Sequence, residues 1–116
     1  MVDKSAAEQV ASGVDRQRLI ETATALIEVP SPTRDAGAVA DRLAEILKAD
    51  GFDVERPAGG WEKAPAVAVR YDSGKPGRTL QVTGHLDTVH LPFVSPREDG
   101  EYLFGSGSAD MKGGIA

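Results

Sequence analysis

The 116 residues predict an α/β fold in which a mixed sheet is flanked by helices. Three patterns carry the expectation. Two stretches in the first fifty residues place apolar side chains at helical spacing. Short apolar or alternating runs between Phe52 and Phe104 are separated by turn formers, as strands are. From Met111 onward the chain reads as the first turn of a further helix. Helices followed by strands and then a helix pack most naturally as a layer of helices on the faces of one sheet.

Asp15 is placed to cap a first helix that runs to about Glu28, with Leu19, Ala23, Leu26 and Ile27 on one face. Pro30 and Pro32 end it and force an extended loop, because proline lacks the amide proton and disfavours helical dihedrals before it. A second helix is expected from Asp35 to Asp50, presenting Val39, Leu43, Ile46 and Leu47 to the core, with Gly51 as its left-handed cap. Phe52 to Arg56 alternates like a half-exposed strand. Ala66 to Tyr71 is apolar through Val69 and is expected to be covered on both faces. Asp72-Ser-Gly-Lys-Pro-Gly77 should reverse the chain into a strand over Thr79 to His85. Another short strand is expected at Glu101 to Phe104, after a proline-rich loop.

Composition narrows the function. With 13 basic and 18 acidic residues the formal charge is −5, which repels a phosphate backbone and argues against nucleic-acid binding. There is no cysteine, so any metal would be held by His, Asp or Glu, which favours zinc, cobalt or manganese. Residues 1–14 mix charge with alanine and lack the apolar core of a signal peptide. No run of about 18 apolar residues is present, so no membrane partner is expected. A cytoplasmic setting is the default expectation.

The chemistry-bearing residues gather near the C-terminal end. His85 and Asp87 are two apart and, on an extended backbone, share a side. Two interpretations fit that pattern. One is a strand-end His followed by a turn-forming Asp. The other is a metal-binding imidazole whose second ring nitrogen is held by a carboxylate, or a pair of ligands. Asp110 lies 25 residues on, framed by Gly105, Gly107, Gly113 and Gly114. It could cap the next helix from a flexible loop, or use both oxygens to bridge a metal pair.

Together these segments resemble the M20 family of metallopeptidases and related amidohydrolases. The family motifs Gly-His-x-Asp-Thr-Val and Gly-x-Gly-x-x-Asp-Met-Lys-Gly-Gly read GHLDTV from Gly84 and GSGSADMKGG from Gly105. The Val-Pro-Ser-Pro-Thr loop ending at Thr33 also fits, extending the resemblance from Asp15 to Ala116. It implies a zinc-peptidase-like fold. Residues 15–116 would form a truncated, N-terminal part of the catalytic domain, preceded by a poorly ordered extension, 1–14.

The resemblance also implies site roles. His85 would be a ligand of one metal, Asp110 the carboxylate shared by both, and Asp87 the catalytic residue working through His85. The cofactor would be zinc, two ions per complete site, with cobalt or manganese as substitutes. The substrate class is a small molecule, an N-acyl amino acid or short peptide, whose amide is cleaved by metal-activated water with a Glu as general base. In the family that Glu and the remaining ligands lie C-terminal to Asp110. So does the smaller domain through which the parent would form a homodimer. This chain alone is therefore expected to be inactive, to bind metal weakly and to be marginally stable. The alternative is a non-catalytic fragment or degenerate binding module of the same fold.

Several residues stand beside the motifs. Ser106 occupies a position where the family usually shows Arg, which alters a loop contact but no metal ligand. His90 follows the Asp-Thr-Val run, where Pro is frequent, and is expected to be a loop residue beside the site. Lys112 is expected to be a solvated helix-start residue, and Trp61 a loop aromatic packed on the sheet edge.

Overall fold

The computed structural model describes residues 3–89 and 92–116. Lys4–Ser12 forms helix α1, started by the Asp3 carboxylate, which accepts from the Ser5 amide at 3.0 Å. This is the segment expected to be a poorly ordered extension. It is helical, yet none of its residues is buried.

Helix α2, Arg16–Ile27, begins where predicted, because the Asp15 side chain accepts from the Arg18 amide and satisfies one of the free donors of the first turn. Helix α3, Gly37–Ala49, begins at Ala36 without a side-chain cap. Its first amide instead donates to the Lys63 carbonyl at 2.9 Å. It stops at Gly51, whose φ of 88° permits the Phe52 amide to turn back onto the Leu47 carbonyl. α2 and α3 pack together through Leu26, Ala36 and Val39, and Val29, Leu43, Ile46, Ala64, Leu86 and Ile115 close around them. Leu26 is wholly buried, so truncating it to Ala should cost about 2–5 kcal/mol.

The strands depart from the predicted single mixed sheet. The described residues form two separate antiparallel pairs. Strands β1 (Val54–Glu55) and β2 (Ala68–Val69) pair Val54 with Val69 and Glu55 with Ala68. Strands β3 (Arg97–Asp99) and β4 (Tyr102–Phe104) form a hairpin around Gly100. β4 lies within the stretch expected to be a strand, and its partner β3 comes from the loop before it. The structure remains α/β in content.

Two expectations need correction. Ala68 and Val69 are exposed rather than covered on both faces. Thr79 to His85 forms no strand. Among the described residues, no backbone–backbone hydrogen bond joins 79–84 to another segment. A strand exists only as one rail of a ladder, and this run has no second rail. Leu80 and Val82 are consequently 86% and 85% exposed.

The openness is general. The accessible surface is 8906 Å², against about 6,000 Å² for a folded monomer of this mass. The radius of gyration is 15.7 Å, where about 13 Å is usual for this length. A cavity of about 630 Å³ opens between α3 and the 82–87 segment, lined by Ala40, Leu43, Val82, Leu86 and Asp87. No helix is long and apolar enough to cross a membrane among the described residues. A final helical turn, α4 (Gly113–Ile115), follows a wide turn over Ser108–Lys112 whose Asp110 and Met111 dihedrals are not helical.

Candidate metal centre

The two motif segments come together. His85 Nε2 lies 2.9 Å from Asp110 Oδ1, although 25 residues separate them. Asp87 sits on the opposite side of the ring, its carbonyl oxygen 3.1 Å and its Oδ1 3.3 Å from His85 Nδ1. The imidazole thus lies between two carboxylates. His85 and Asp110 are open to solvent, with side chains 48% and 72% exposed, while Asp87 is partly covered.

Local sequence explains the approach. Gly84 passes beneath the Met111 and Ile115 side chains, and a β-carbon there would collide with the Ile115 Cδ1 atom and lie 2.9 Å from Met111 Cε. The His85 amide points at Met111 Sδ, 3.3 Å away. Gly107 has φ of 81°, and its β-carbon would strike the Thr88 methyl. Only glycine lets the Asp110 loop fold this closely on the His85 segment.

The ring electrostatics follow from the geometry. The hydrogen bond to Asp110 holds the His85 pKa above its usual 6.5, helped by the Asp87 backbone carbonyl. With Nδ1–H donated to Asp87, the Nε2 lone pair faces an anionic oxygen, which is repulsive unless a cation lies between them. A proton is one such cation and a divalent metal another.

The donors fit a metal with a small adjustment. Two donors at about 2.0–2.1 Å from a tetrahedral ion stand about 3.3 Å apart, so the observed 2.9 Å must widen by only a few tenths of an ångström. Asp110 is exposed enough to move that far. Asp87 cannot serve the same ion, because it lies on the Nδ1 side. Among the described residues no group of three or more His, Asp or Glu gathers to hold one ion.

Other predicted positions are resolved by contact. Lys112, expected to be solvated, is 0% exposed, and its Nζ donates to the Val29 carbonyl at 2.8 Å. A buried ammonium keeps its place only where a strong acceptor meets it. Ser106 is buried and exchanges hydrogen bonds with Val94: its Oγ accepts from the Val94 amide at 2.8 Å, and its amide donates to the Val94 carbonyl at 2.9 Å. Trp61 is exposed and carries the Arg34 guanidinium 5.5 Å above its ring. His90 lies outside the described residues. Ser31 and Thr33, whose contacts reach the site, lie in the Val-Pro-Ser-Pro-Thr loop that fits the family, but the sequence assigned them no site role. Hydroxyl side chains interleaved with prolines in a fixed loop were the available signal.

Comparison with known proteins agrees with the motifs. The succinyl-diaminopimelate desuccinylase of Methylorubrum populi is 39% identical over 110 residues, covering 86% of this chain and 28% of that protein. The enzyme of the same name from Sphingopyxis alaskensis is 44% identical over 108 residues, 84% of this chain and 28% of the relative. That of Methylobacterium sp. strain 4-46 is 41% identical over 104 residues, 81% of this chain and 26% of its own length. The chain therefore spans about a quarter of the length of these curated relatives. No family model matches, and no solved structure matches. Identity of this level over most of the chain, with both motifs in order, places the chain in the M20 family of metallopeptidases and amidohydrolases.

Proposed function

We propose that this chain carries part of the metal centre of an amide hydrolase built on a zinc-peptidase-like fold. Its whole protein would cleave the amide of an N-acyl amino acid or short peptide, and the names of the relatives favour a succinyl amide. The observation that supports it is the meeting of His85 Nε2 and Asp110 Oδ1 at 2.9 Å. His85 and Asp110 would hold zinc, with cobalt or manganese as substitutes, and Asp87 would fix the ring's tautomer and orientation. A bound divalent ion supplies Lewis acidity at the carbonyl and lowers the pKa of a water. The described residues supply two donors to one ion, whereas hydrolytic zinc centres use three protein ligands and an open position. The remaining ligands and the general base are proposed to come from other parts of the whole protein.

The test is hydrolysis of N-succinyl amino acids by the whole protein loaded with zinc or cobalt. Asp110→Asn should lower kcat/KM by at least about a hundredfold, the top of the range for losing only an outer-shell partner of a metal ligand. Equal rates in Asp110→Asn and the parent sequence would reject the assignment. The 116-residue chain alone should show no turnover.

A further inference from the structure

The two halves of the site do not hold each other alone. Each is tied to a third segment, the loop after α2. The Thr88 amide donates to the Ser31 carbonyl at 2.8 Å, and Ser31 Oγ donates to the Leu86 carbonyl at 2.9 Å. These two bonds pin the backbone on either side of Asp87. Thr33 Oγ1 donates to Asp87 Oδ2 at 2.6 Å, leaving Oδ1 3.3 Å from His85 Nδ1, beside the Asp87 carbonyl, which is the nearer acceptor at 3.1 Å. From the other half, Lys112 Nζ donates to the Val29 carbonyl at 2.8 Å. Four contacts within five residues thus grip segments that lie 54 to 83 positions away in sequence.

The chemistry of the loop suits that task. Pro30 and Pro32 restrict the backbone, so the carbonyls of Val29 and Ser31 and the hydroxyls of Ser31 and Thr33 are presented with little conformational freedom to lose. Ser31 is buried and Thr88 is buried, so their bonds are shielded from competing water. Thr33 is exposed and contributes nothing to the apolar core. Among the described residues its side-chain hydrogen bond goes to Asp87.

We propose that the Val29–Thr33 loop is a clamp that assembles the metal centre, and that Thr33 is a positioning residue that orients Asp87 toward His85. Through its Oδ2 bond Thr33 sets which carboxylate oxygen meets the ring, and through the ring it sets the direction of Nε2. The inference rests on the metal-centre assignment above for its consequence, but the orientation itself exists without metal.

Thr33→Val and Thr33→Ser in the full chain test it. Two measurements are made at one fixed pH: cobalt(II) affinity by visible absorption, and the His85 ring in the metal-free protein by long-range 1H–15N NMR. Thr33→Val should weaken cobalt binding by up to about tenfold, the low end of the range for losing an outer partner, because Thr33 reaches His85 only through Asp87, and should shift the His85 Nδ1 resonance. Its Tm should stay close to that of the parent sequence, since an exposed hydroxyl is lost. Thr33→Ser keeps the hydroxyl and should restore both values. An unchanged ring spectrum in Thr33→Val overturns the proposal, as does an equal loss in Thr33→Ser. Absence of cobalt binding by the parent sequence would sink the metal assignment alone, and the ring spectrum would still decide the role of Thr33. A Tm collapse in Thr33→Val that matches the loss of affinity would reduce the loop to a structural element and also overturn it.

Discussion

Lys112 and Val29 stand 83 positions apart in sequence, yet the lysine Nζ lies 2.8 Å from the valine carbonyl with no part of the side chain reaching solvent. Val29 lies just beyond Glu28, the cap residue of α2, near the helix end that carries partial negative charge. The ammonium gives this loop carbonyl its partner and fastens the Asp110 loop to the segment that leaves α2. Position in the chain suggested a solvated helix start. Packing put the side chain inside.

Burial lowers the Lys112 pKa from 10.5 to about 8. The unfolded chain keeps this proton up to about 10.5, and the folded chain releases it from about 8. Between those values the unfolded state binds more protons, so the Lys112 contribution to stability should rise with pH. Below 8 both states are charged and the desolvation cost is fully present. Lys112→Met should remove this rise while leaving other titrations in place. Thermal melts of both proteins at pH 7.5, 9 and 10.5 check it, and parallel Tm–pH curves would contradict it.

His85 titrates in the opposite sense. Its raised pKa means the charged ring stabilises the fold below 6.5, and that contribution is lost as pH rises through the folded value. Divalent ions need the neutral ring, so their binding should strengthen over the same rise. Asp110→Asn should lower the His85 pKa more than Asp87→Asn, because Asp110 supplies the largest contribution and Asp87 acts first through its backbone. NMR titration of the ring protons measures the order, and a reversed order would place the main partner on the wrong side of the ring.

Gly107→Ala forces a β-carbon into the Thr88 methyl at a φ of 81°. Strain plus overpacking should cost about 1–3 kcal/mol. Displacing this turn moves Asp110, so cobalt affinity should fall along with Tm. Calorimetry and a cobalt titration read the two effects, and an alanine variant as stable as glycine would show that the loop adapts.

The helices and caps were legible because their determinants are local. Asp15 bonds an amide three residues away, and Gly51 needs only its own dihedral. The motif residues were legible too, and their convergence follows from two close-approach glycines, Gly84 and Gly107. The sheet was not, because whether Thr79 to His85 becomes a strand depends on a partner rail and not on its own alternation. Lys112, Ser31 and Thr33 escaped for the same reason, since their partners are 54 or more residues away.

The unpaired run carries its own consequence. Leu80 and Val82 project from a backbone without ladder partners among the described residues, a template for edge-to-edge association. The chain should self-associate at micromolar concentration. Leu80→Lys with Val82→Lys should shift it toward monomer in sedimentation velocity without lowering Tm, because neither side chain is buried. A parent sequence that is monomeric at all concentrations would contradict this.

Anomalous X-ray scattering at the zinc edge, from crystals grown with zinc, locates the ion itself. A peak is expected about 2.0–2.1 Å from His85 Nε2 and about 2.0–2.2 Å from an Asp110 oxygen, with the two donors moved apart from their present 2.9 Å. Zinc bound elsewhere, with the His85–Asp110 hydrogen bond intact, would contradict a shared metal centre.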